Sequence, residues 1–415
     1  MLQIVHDVAP GAGLMFHTAS GGQANFAEGI LALALAGADV IVDDIVYLAE
    51  PFFQDGLVSR AIDAVAEAGV AYFSSAGNAG RDSYEAAFAG SGQNLVLQGS
   101  RGPIDFGEMH DFDTGDGVDV RQRVIIPQGG DIFLTFQWDQ PFASVSSNGR
   151  GSASDLDILL FGGGGALETS NLAAFSASFN IGGDPVEVFR FVNTTSTTQF
   201  DLVISHFAGP EAGLLKYIDL GSARIAEHAT FSDTSFGHAP AEGGMGVGAA
   251  FWGFTPNNGI DAPRLESFSS AGPATVLFDD AGVRLSEPET RASPDIVGPD
   301  GTNTTFFGFD TGFDADTAPN FFGTSAAAPH VAAVAALMLE ANPNLTPTEL
   351  YDALRATAID MGAAGFDGAS GFGLVDAAAA LGAILPPPAK ESAPVADAAI
   401  SLVGSDGDDV LIGGA

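Results

Sequence analysis

Apolar and polar positions follow two different patterns along the chain. Residues 1–80 contain short, almost continuous apolar runs that alternate with stretches of helical periodicity. The predicted strands are GLMFHTA, VIVDDIVYL and VAYFSSAGN, and the predicted helices cover residues 25–36 and 56–68. Apolar strands that alternate with helices are typical of a parallel, doubly wound sheet, in which ligands bind at the carboxyl ends of the strands. Residues 75–80 lie at one such end.

Between about residues 95 and 218 the apolar positions alternate with polar ones, as in half-buried strands. The face of one predicted strand is formed by Ile132, Leu134, Phe136 and Trp138. Further predicted strands are VRQRVIIP, DLDILLF, VEVFRFV and QFDLVIS. Several short strands with turn residues between them indicate a β-sandwich or jelly roll. Because the α/β pattern returns near Phe236, this all-β domain is predicted to be an insertion.

A buried helix is predicted after the string GTSAAAPH at residues 323–330, because the run VAAVAALMLEA that follows is apolar on nearly every face. Unpaired N–H groups at a helix start carry partial positive charge and favour an anion or a nucleophile. Ser325 is therefore either a nucleophile or, as the simpler alternative, part of the cap of a core helix. A further helix begins at Thr346, with Pro347 at its first position and Glu349 closing a capping box.

The string GTSAAAPH resembles the nucleophile signature of subtilisin-like serine peptidases, with Ala326 in place of the usual Met. The resemblance implies that Ser325 is the catalytic nucleophile. The string SAGN at residues 75–78 resembles the oxyanion segment of the same family, which implies that the Asn78 amide donates to the developing oxyanion. Sedolisins, the acidic relatives of this fold, would carry Asp in place of Asn78.

Other segments resemble the family in its own order, so that the resemblance covers roughly residues 4–80 and 236–383. They are GHAPAEGGMGVGA, RLESFSSAGP, RASPDIVGPDG and GFGLVDAAAAL. The all-β insertion resembles the pre-peptidase-type domains of secreted proteases. The implied fold class is α/β, a subtilisin-like doubly wound parallel sheet with an inserted all-β sandwich or jelly-roll domain. The implied activity is that of a serine endopeptidase on protein or peptide substrates.

A serine nucleophile needs a histidine base and an aspartate that orients the imidazole. The family supplies both from motifs N-terminal to a VAPGA segment, which stands here at residues 8–12. We therefore expect the base and its orienting acid to lie upstream of Met1, and the N-terminal part of the sheet to be missing. None of the 7 histidines has the position of that base, and His6 and Asp7 would lie at the far end of its helix.

Asp43 and Asp44 fall in the second predicted strand. Alignment through the string ADVI places Asp44 where subtilisins carry the serine that ends this strand, beside the active centre. Adjacent strand residues face opposite sides, so only one of the two carboxylates faces the cleft. There it would bind a basic substrate side chain or take part in proton transfer. A solvated strand end is an equal alternative.

The composition narrows the range of partners and compartments. Lys+Arg 14 against Asp+Glu 52 gives a net charge of −38, which argues against nucleic acid and anionic membranes as partners. The chain has no cysteine, which removes disulfides and thiol chemistry, and no apolar run is long enough to span a bilayer. The N-terminus lacks the basic region of a signal peptide. Such an acidic surface suits a secreted protein in a calcium-rich medium.

Calcium is the predicted cofactor, and no organic cofactor is predicted. After a Pro/Ala linker, the string GSDGDDVLI fits the nonapeptide of RTX β-rolls, in which Asp and carbonyl oxygens of stacked turns bind Ca²⁺. The predicted ligands are Asp406, Asp408 and Asp409, and the repeat implies type I secretion by a Gram-negative bacterium. The acidic strings at residues 111–116 and 155–157 are further sources of calcium ligands, although we interpret them as solvated turns.

The predicted segments are the first part of the catalytic domain (1–94), the inserted β-domain (95–220), the second catalytic part with the nucleophile (221–385), the linker (386–399) and the start of the repeat (400–415). The leading hypothesis is a secreted subtilisin-like serine endopeptidase with Ser325 and Asn78 in its active site. The alternative is a non-catalytic, peptidase-like scaffold that binds protein or glycan through the β-sandwich. The sequence does not determine substrate specificity, oligomeric state or the ligand of the β-domain.

Overall fold

The computed structural model describes residues 1–385, so the predicted linker and the predicted ligands Asp406, Asp408 and Asp409 lie outside the described residues. The α-helices are α1 (Leu2–Val8), α2 (Gly22–Leu35), α3 (Leu57–Glu67), α4 (Thr324–Ala341), α5 (Pro347–Thr357) and α6 (Ala377–Ile384). The strands are β1 (Val40–Asp43), β2 (Ala71–Ser75), β3 (Ser83–Ala86), β4 (Gly90–Gly99), β5 (Gly102–His110), β6 (Gln122–Ile125), β7 (Asp131–Trp138), β8 (Asp155–Gly162), β9 (Leu172–Ser176), β10 (Val186–Val192), β11 (Gln199–Ala208), β12 (Leu215–Asp219), β13 (Arg224–Ile225), β14 (Gly244–Phe251), β15 (Ala274–Phe278), β16 (Arg284–Arg291), β17 (Ile296–Asp300), β18 (Thr302–Asn303) and β19 (Asn320–Phe321).

A four-stranded parallel sheet forms the centre of the α/β part, in the order β1-β2-β14-β17. On one face, Ile30 of α2 and Ile62 of α3 pack against Ile41 and Tyr72 of the sheet. The other face is covered by α4, α5 and α6. Strands that are buried on both faces must be apolar along their whole length, as these are. The structure confirms the predicted α/β fold with a parallel sheet.

α4 is the central helix of this layer, and its small residues let it lie directly on the sheet. A Cβ added to Gly298 of β17 would stand 2.5 Å from the Ala327 carbonyl oxygen, so the two backbones touch. Ala328, Val331 and Ala335 are 0% exposed. In the described part of the chain α4 alone is long and apolar enough to cross a membrane, and 61% of it is buried inside the protein. The core helix predicted after residues 323–330 is present.

The first predicted strand, GLMFHTA, is wrong: residues 13–19 form no strand. Leu14, Met15 and Phe16 are 43%, 42% and 76% exposed. A strand forms only where its backbone N–H and C=O groups can pair with those of a neighbouring strand. Within residues 1–385 the edge strand β1 pairs with β2 alone, so residues 13–19 do not pair with it. An apolar run without a neighbouring strand therefore stays irregular.

Two antiparallel sheets occupy the stretch between β2 and β14. One has the order β10-β7-β12-β3, and the other joins β13, β6, β11, β5 and β4, with β8 and β9 attached through β11. The predicted face of β7 lies between the two sheets and is at most 1% exposed; it consists of Ile132, Leu134, Phe136 and Trp138. Every strand that was predicted in this stretch is present. The antiparallel strands begin at Ser83, before the predicted domain boundary at residue 95.

β7 also holds the loop that leaves the parallel sheet after β1. Gln137 donates from Nε2 to the Glu50 carbonyl at 2.7 Å and accepts at Oε1 from the Phe52 N–H at 2.8 Å. Thr135 donates from Oγ1 to the Leu48 carbonyl at 2.7 Å. The backbone of the loop is thus bound to side chains of β7 instead of to a neighbouring strand. For this reason β1 ends at residue 43 and not at residue 48, where the sequence pattern predicts its end.

The two acidic strings have different environments. Asp111 accepts through Oδ1 from the N–H groups of Asp113 at 3.0 Å and Asp119 at 2.8 Å, so the first string is a turn, as predicted. Asp155 and Asp157 lie instead in β8 and are 2% and 5% exposed. The prediction of a solvated turn is wrong for this second string. Strand alternation places both carboxylates on one side of β8, and that side is buried at these positions.

The hydroxyl of Tyr351 anchors α5 to the sheet. It accepts from the Tyr72 N–H at 2.7 Å and lies 3.1 Å from the carbonyl oxygens of Tyr72 and Gly243. Tyr351→Phe should lower the free energy of unfolding by about 1–3 kcal/mol, because the Tyr72 N–H is left buried without an acceptor. Urea unfolding followed by circular dichroism measures the loss. The control is Tyr47→Phe, whose half-buried hydroxyl donates to Ala19 alone and which should lose less. Equal losses in the two variants would contradict the prediction.

Candidate active site

Ser325 lies at the start of α4, where the backbone depends on Gly323. Gly323 has a φ of 116°, a conformation that favours glycine. Its N–H donates to Asp300 Oδ2 at 2.8 Å, which fixes the turn into α4. Ser325 is the second residue of the helix and is half-buried. Because the first N–H groups of a helix have no partner within it, a negative charge that develops beside Ser325 is favoured.

Asn78 follows β2 and faces the start of α4. Its Oδ1 atom accepts from the N–H and from the hydroxyl of Thr324, both at 3.0 Å. Because both Thr324 groups donate, the amide atom that faces them is the oxygen Oδ1. The amide nitrogen Nδ2 therefore points the other way and is free to donate. The side chain is exposed, which leaves Nδ2 open to a substrate oxygen. The structure thus brings together Asn78 and the helix that carries Ser325.

Asp44 comes directly after β1, and its carboxylate lies near enough to the Ser325 hydroxyl for the hydroxyl to influence its pKa. Desolvation raises the pKa of Asp44 to about 6, against the opposing effect of the Ser325 hydroxyl, and the charge of Asp43 adds to the rise. The residue nevertheless keeps an exposed surface toward the cleft. Of the two neighbouring aspartates, Asp44 is the one that lies near Ser325, while Asp43 points into the protein.

Asp43 belongs to a buried charge network that sequence reasoning missed. His238 approaches Glu50 Oε2 with Nδ1 at 2.8 Å and Asp43 Oδ1 with Nε2 at 3.2 Å. The hydroxyls of Tyr72 and Ser74 also donate to Asp43, at 2.7 and 3.0 Å. The three charged side chains are at most 4% exposed. Glu50 and His238 are 188 positions apart, and no local pattern of the sequence connects them.

The protonation state of His238 follows from its two partners. Burial alone would lower the pKa of His238, but Glu50 and Asp43 outweigh burial and hold the pKa well above its ordinary value. His238 is therefore an imidazolium at neutral pH, and both of its nitrogens donate. In this state it does not act as a base for Ser325. It neutralises two carboxylates that would otherwise repel each other beside the cleft.

No histidine within residues 1–385 makes a hydrogen bond to Ser325. His330 lies one turn further along α4, where Nδ1 donates to the Ala326 carbonyl at 2.8 Å. His6 and Asp7 are exposed on α1, whose Ile4 packs against Ala326. The site as described therefore holds a serine hydroxyl, a side-chain amide and a carboxylate, and the position of an imidazole base stays a prediction.

A serine hydroxyl at the start of a buried helix, with a fixed amide donor beside it at the carboxyl edge of a parallel sheet, is a site of the serine hydrolase class. The sequence model of the subtilase family, Peptidase_S8, matches residues 5–373. The chain therefore belongs to the subtilase family of serine peptidases.

Individual relatives match smaller parts of the chain. A stretch of 64 residues is 45% identical to Fervidolysin of Fervidobacterium pennivorans and covers 15% of this chain and 9% of that protein. A stretch of 196 residues is 30% identical to Subtilisin-like protease SBT2.3 of Arabidopsis thaliana and covers 46% of this chain and 21% of that protein. The matches thus span only 9% to 21% of the length of these relatives. The CspB protease of Clostridium perfringens has a similar fold, with a TM-score of 0.51 and 14% identity over 87% of this chain and 71% of that chain.

The His238 network predicts a loss of stability at alkaline pH. Because the pKa of His238 is higher in the folded protein than its ordinary value of 6.5, its contribution is fully present below about pH 6.5. The contribution is lost as the pH rises through the folded pKa. Urea unfolding between about pH 6 and 10 should show this loss in the wild type and not in His238→Gln, which should be less stable at neutral pH. His228→Gln, which removes a half-buried histidine beside Asp119, is the control and should keep the alkaline loss. The same pH dependence in wild type and His238→Gln would refute the assignment.

Proposed function

We propose that this protein is a serine endopeptidase in which Ser325 is the nucleophile and Asn78 supplies an oxyanion donor. The observation that carries the proposal is the contact of Asn78 with the start of α4 through the N–H and hydroxyl of Thr324. Membership of the subtilase family supports peptide bonds as the substrate class.

In the proposed reaction, Ser325 Oγ attacks the carbonyl carbon of the peptide bond, and negative charge moves onto the carbonyl oxygen. Asn78 Nδ2 and the Ser325 N–H donate to that oxygen from positions that the fold sets beforehand. The hydroxyl proton passes to a base and then to the amine that leaves as the C–N bond breaks. Because the charge is present only in the transition state, the two donors act on turnover more than on substrate binding.

The proton acceptor in this reaction needs a separate argument. The family uses an imidazole, and no imidazole in the described part of the chain contacts Ser325. An unassisted serine hydroxyl is a weak nucleophile at neutral pH. We therefore expect Ser325 to react slowly in this chain unless a base is supplied. Asp44, which lies near the hydroxyl, is proposed as a cleft carboxylate that attracts a basic side chain of the substrate.

Labelling with a fluorophosphonate tests the nucleophile. Ser325 should react slowly by itself and faster as free imidazole is added, because imidazole accepts the hydroxyl proton. Peptide mass spectrometry locates the label, and Ser325→Ala should abolish it. Asn78→Ala should slow the imidazole-assisted reaction by about 10²–10³-fold, the effect of losing one oxyanion donor in subtilisin. Undiminished labelling in Asn78→Ala would remove this residue from the mechanism. Complete absence of imidazole-dependent labelling would contradict the peptidase proposal.

A pair of peptidyl phosphonates tests Asp44. With imidazole present, the wild type should react faster with a probe that carries Lys than with one that carries norleucine, and Asp44→Asn should lose this preference. The preference should also weaken as the pH falls below about 6, because the carboxylate then gains a proton. The norleucine probe is the internal control. Labelling that needs no imidazole and disappears in Asp44→Asn would show instead that Asp44 is the base.

The proposed location is extracellular, after export by the type I pathway of a Gram-negative bacterium. The net charge of −38 and the repeat-like string near the C-terminus support this proposal. Calcium bound by Asp406, Asp408 and Asp409 is part of it, as is the interpretation of the antiparallel sheets as a pre-peptidase-type domain.

A further inference from the structure

Asp300 is a buried carboxylate next to the start of α4. It is the last residue of β17 and is 0% exposed. Its Oδ2 atom accepts from the Gly323 N–H at 2.8 Å, whereas Oδ1 is buried and has no hydrogen-bond partner within residues 1–385. In the same part of the chain no Lys, Arg or His forms an ion pair with Asp300. A fully buried carboxylate without a cation is rare in folded proteins and requires an explanation.

The elements around Asp300 supply no compensating charge. β14, which pairs with β17, and the short strands β18 and β19 contain no titratable residue. α4 carries His330, whose Nδ1 donates to the Ala326 carbonyl, and Glu340, which lies in the last turn of the helix. Glu266, in the segment between β14 and β15, acts on the pKa of Asp300 and bears the same charge. The ionised form of Asp300 is therefore held mainly by its hydrogen bond from Gly323.

The stability of the fold does not account for a carboxylate at this position. Burial raises the pKa of Asp300 to about 7, the hydrogen bond from Gly323 opposes this rise, and the charge of Glu266 adds to it. Because this pKa is above the ordinary value of 3.8, the contribution of Asp300 to stability is lost as the pH rises from about 4 to 7. An asparagine would offer the same N–H an acceptor without burying a charge. The charge itself therefore needs a role.

Asp300 holds the first of the N–H groups with which α4 begins. The first four N–H groups of a helix have no partner inside it. Three of the four have partners here: Gly323 donates to Asp300, Thr324 to Asn78 Oδ1 at 3.0 Å, and Ala326 to the Gly323 carbonyl at 2.9 Å. Within residues 1–385 the fourth, the N–H of Ser325, has no partner. It is thus the one that is available to a substrate oxygen.

The position of Ser325 depends on Gly323, the residue that Asp300 holds. Gly323 has a φ of 116°, and a Cβ added to it would stand 3.3 Å from Asn78 Nδ2, so its backbone lies against the amide. A hydrogen bond to an ionised acceptor is roughly twice as strong as one to a neutral acceptor. The charge on Asp300 therefore holds Gly323 more firmly than an amide oxygen would. A shift of Gly323 would move both the Ser325 N–H and the Asn78 amide.

We propose that Asp300 is a positioning residue whose ionised carboxylate, acting through Gly323, keeps the Ser325 N–H and the Asn78 amide directed at one substrate oxygen. A proton on Oδ1, the atom without a partner, removes the charge and weakens the hold on Gly323. The reactivity of Ser325 therefore falls toward acid pH. This inference rests on the proposed function, because it assigns a control element to the same site.

The pH profile of Ser325 labelling tests the proposal in the full chain. Fluorophosphonate labelling is measured between about pH 6 and 9 at a constant concentration of unprotonated imidazole, so that the added base does not set the profile. The wild-type rate should fall about tenfold as the pH drops from 9 to 6, since a group with a pKa near 7 is then about nine-tenths protonated. Asp300→Asn should be slower at pH 9 by at least about tenfold, as expected for misplaced reacting groups, and its rate should be nearly independent of pH.

Two further variants separate Asp300 from other acids. Asp44 also titrates near this range, so the fall must persist in Asp44→Asn. Asp219 is the matched control, because it is 3% exposed, has a pKa raised to about 7 and has an unpartnered Oδ2 within residues 1–385. It lies in β12 of the antiparallel sheets, where it accepts from the N–H groups of Phe133 and Gly221. Asp219→Asn should keep the wild-type rate and the wild-type pH profile.

Amide hydrogen exchange supplies a readout that does not depend on activity. The protection factors of residues 323–326, measured by mass spectrometry, should fall below about pH 7 in the wild type and in Asp219→Asn. In Asp300→Asn they should be low throughout, because local opening no longer breaks a charge-assisted bond. If no variant shows imidazole-dependent labelling, the proposed function is rejected, and the exchange data still decide whether Asp300 holds α4.

The wild-type and Asp44→Asn profiles carry the test if Asp300→Asn does not fold. A labelling rate and protection factors that both stay constant between pH 6 and 9 in Asp44→Asn would overturn the proposal. Faster labelling in Asp300→Asn than in the wild type would also overturn it, since that result would show that the carboxylate repels the developing oxyanion instead of positioning its donors.

Discussion

The positive charge on His238 is the constraint on which the active-site edge of the parallel sheet depends. The chain has 52 acidic residues and only 14 Lys and Arg, so most of its carboxylates have no Lys or Arg to pair with. Asp43 and Glu50 find a cation in His238, at 3.2 and 2.8 Å. If this imidazolium were neutral, the end of β1 and the following loop would repel each other. With the charge in place, Asp43 is turned inward, and strand alternation turns Asp44 toward Ser325.

Asn78 and Ser325, the proposed catalytic groups, meet because two distant segments end at the same edge of the sheet. Asn78 follows β2, and Thr324 begins α4, 246 positions later. Thr324 uses both its N–H and its hydroxyl to hold Asn78 Oδ1, so the amide has one orientation before any substrate arrives. An oxyanion donor that needs no reorientation during the reaction stabilises the transition state most effectively.

The sequence could predict what depends on local periodicity. The parallel strands, the buried α4, the capping box of α5 and the core face of β7 are all visible in the spacing of apolar and capping residues. Ser325 and Asn78 were predicted from short strings; the family match over residues 5–373 shows the family, and the roles of the two residues stay predictions.

What could not be predicted depends on partners that are distant in sequence. GLMFHTA is apolar enough for a strand but has no strand beside it within residues 1–385. Asp155 and Asp157 have the composition of a turn, yet they lie in β8 and are buried. The pairing of Glu50 with His238 has no local signal at all. Each of these outcomes depends on which segments meet in space, and the alternation of residue types carries no information about that.

The hydrogen bonds of Gln137 and Thr135 bear on how this architecture can be altered. These side chains of β7 bind the backbone at Leu48, Glu50 and Phe52, in the same loop that presents Glu50 to His238. The antiparallel sheets therefore cannot be removed or exchanged without disturbing the α/β part of the chain. A chain shortened by removing them would have to hydrate or re-pair those backbone groups, and the loop that presents Glu50 to His238 would be free to move. If recombination replaces the antiparallel sheets, the strand that takes the place of β7 must carry an amide at the position of Gln137 and a hydroxyl at the position of Thr135.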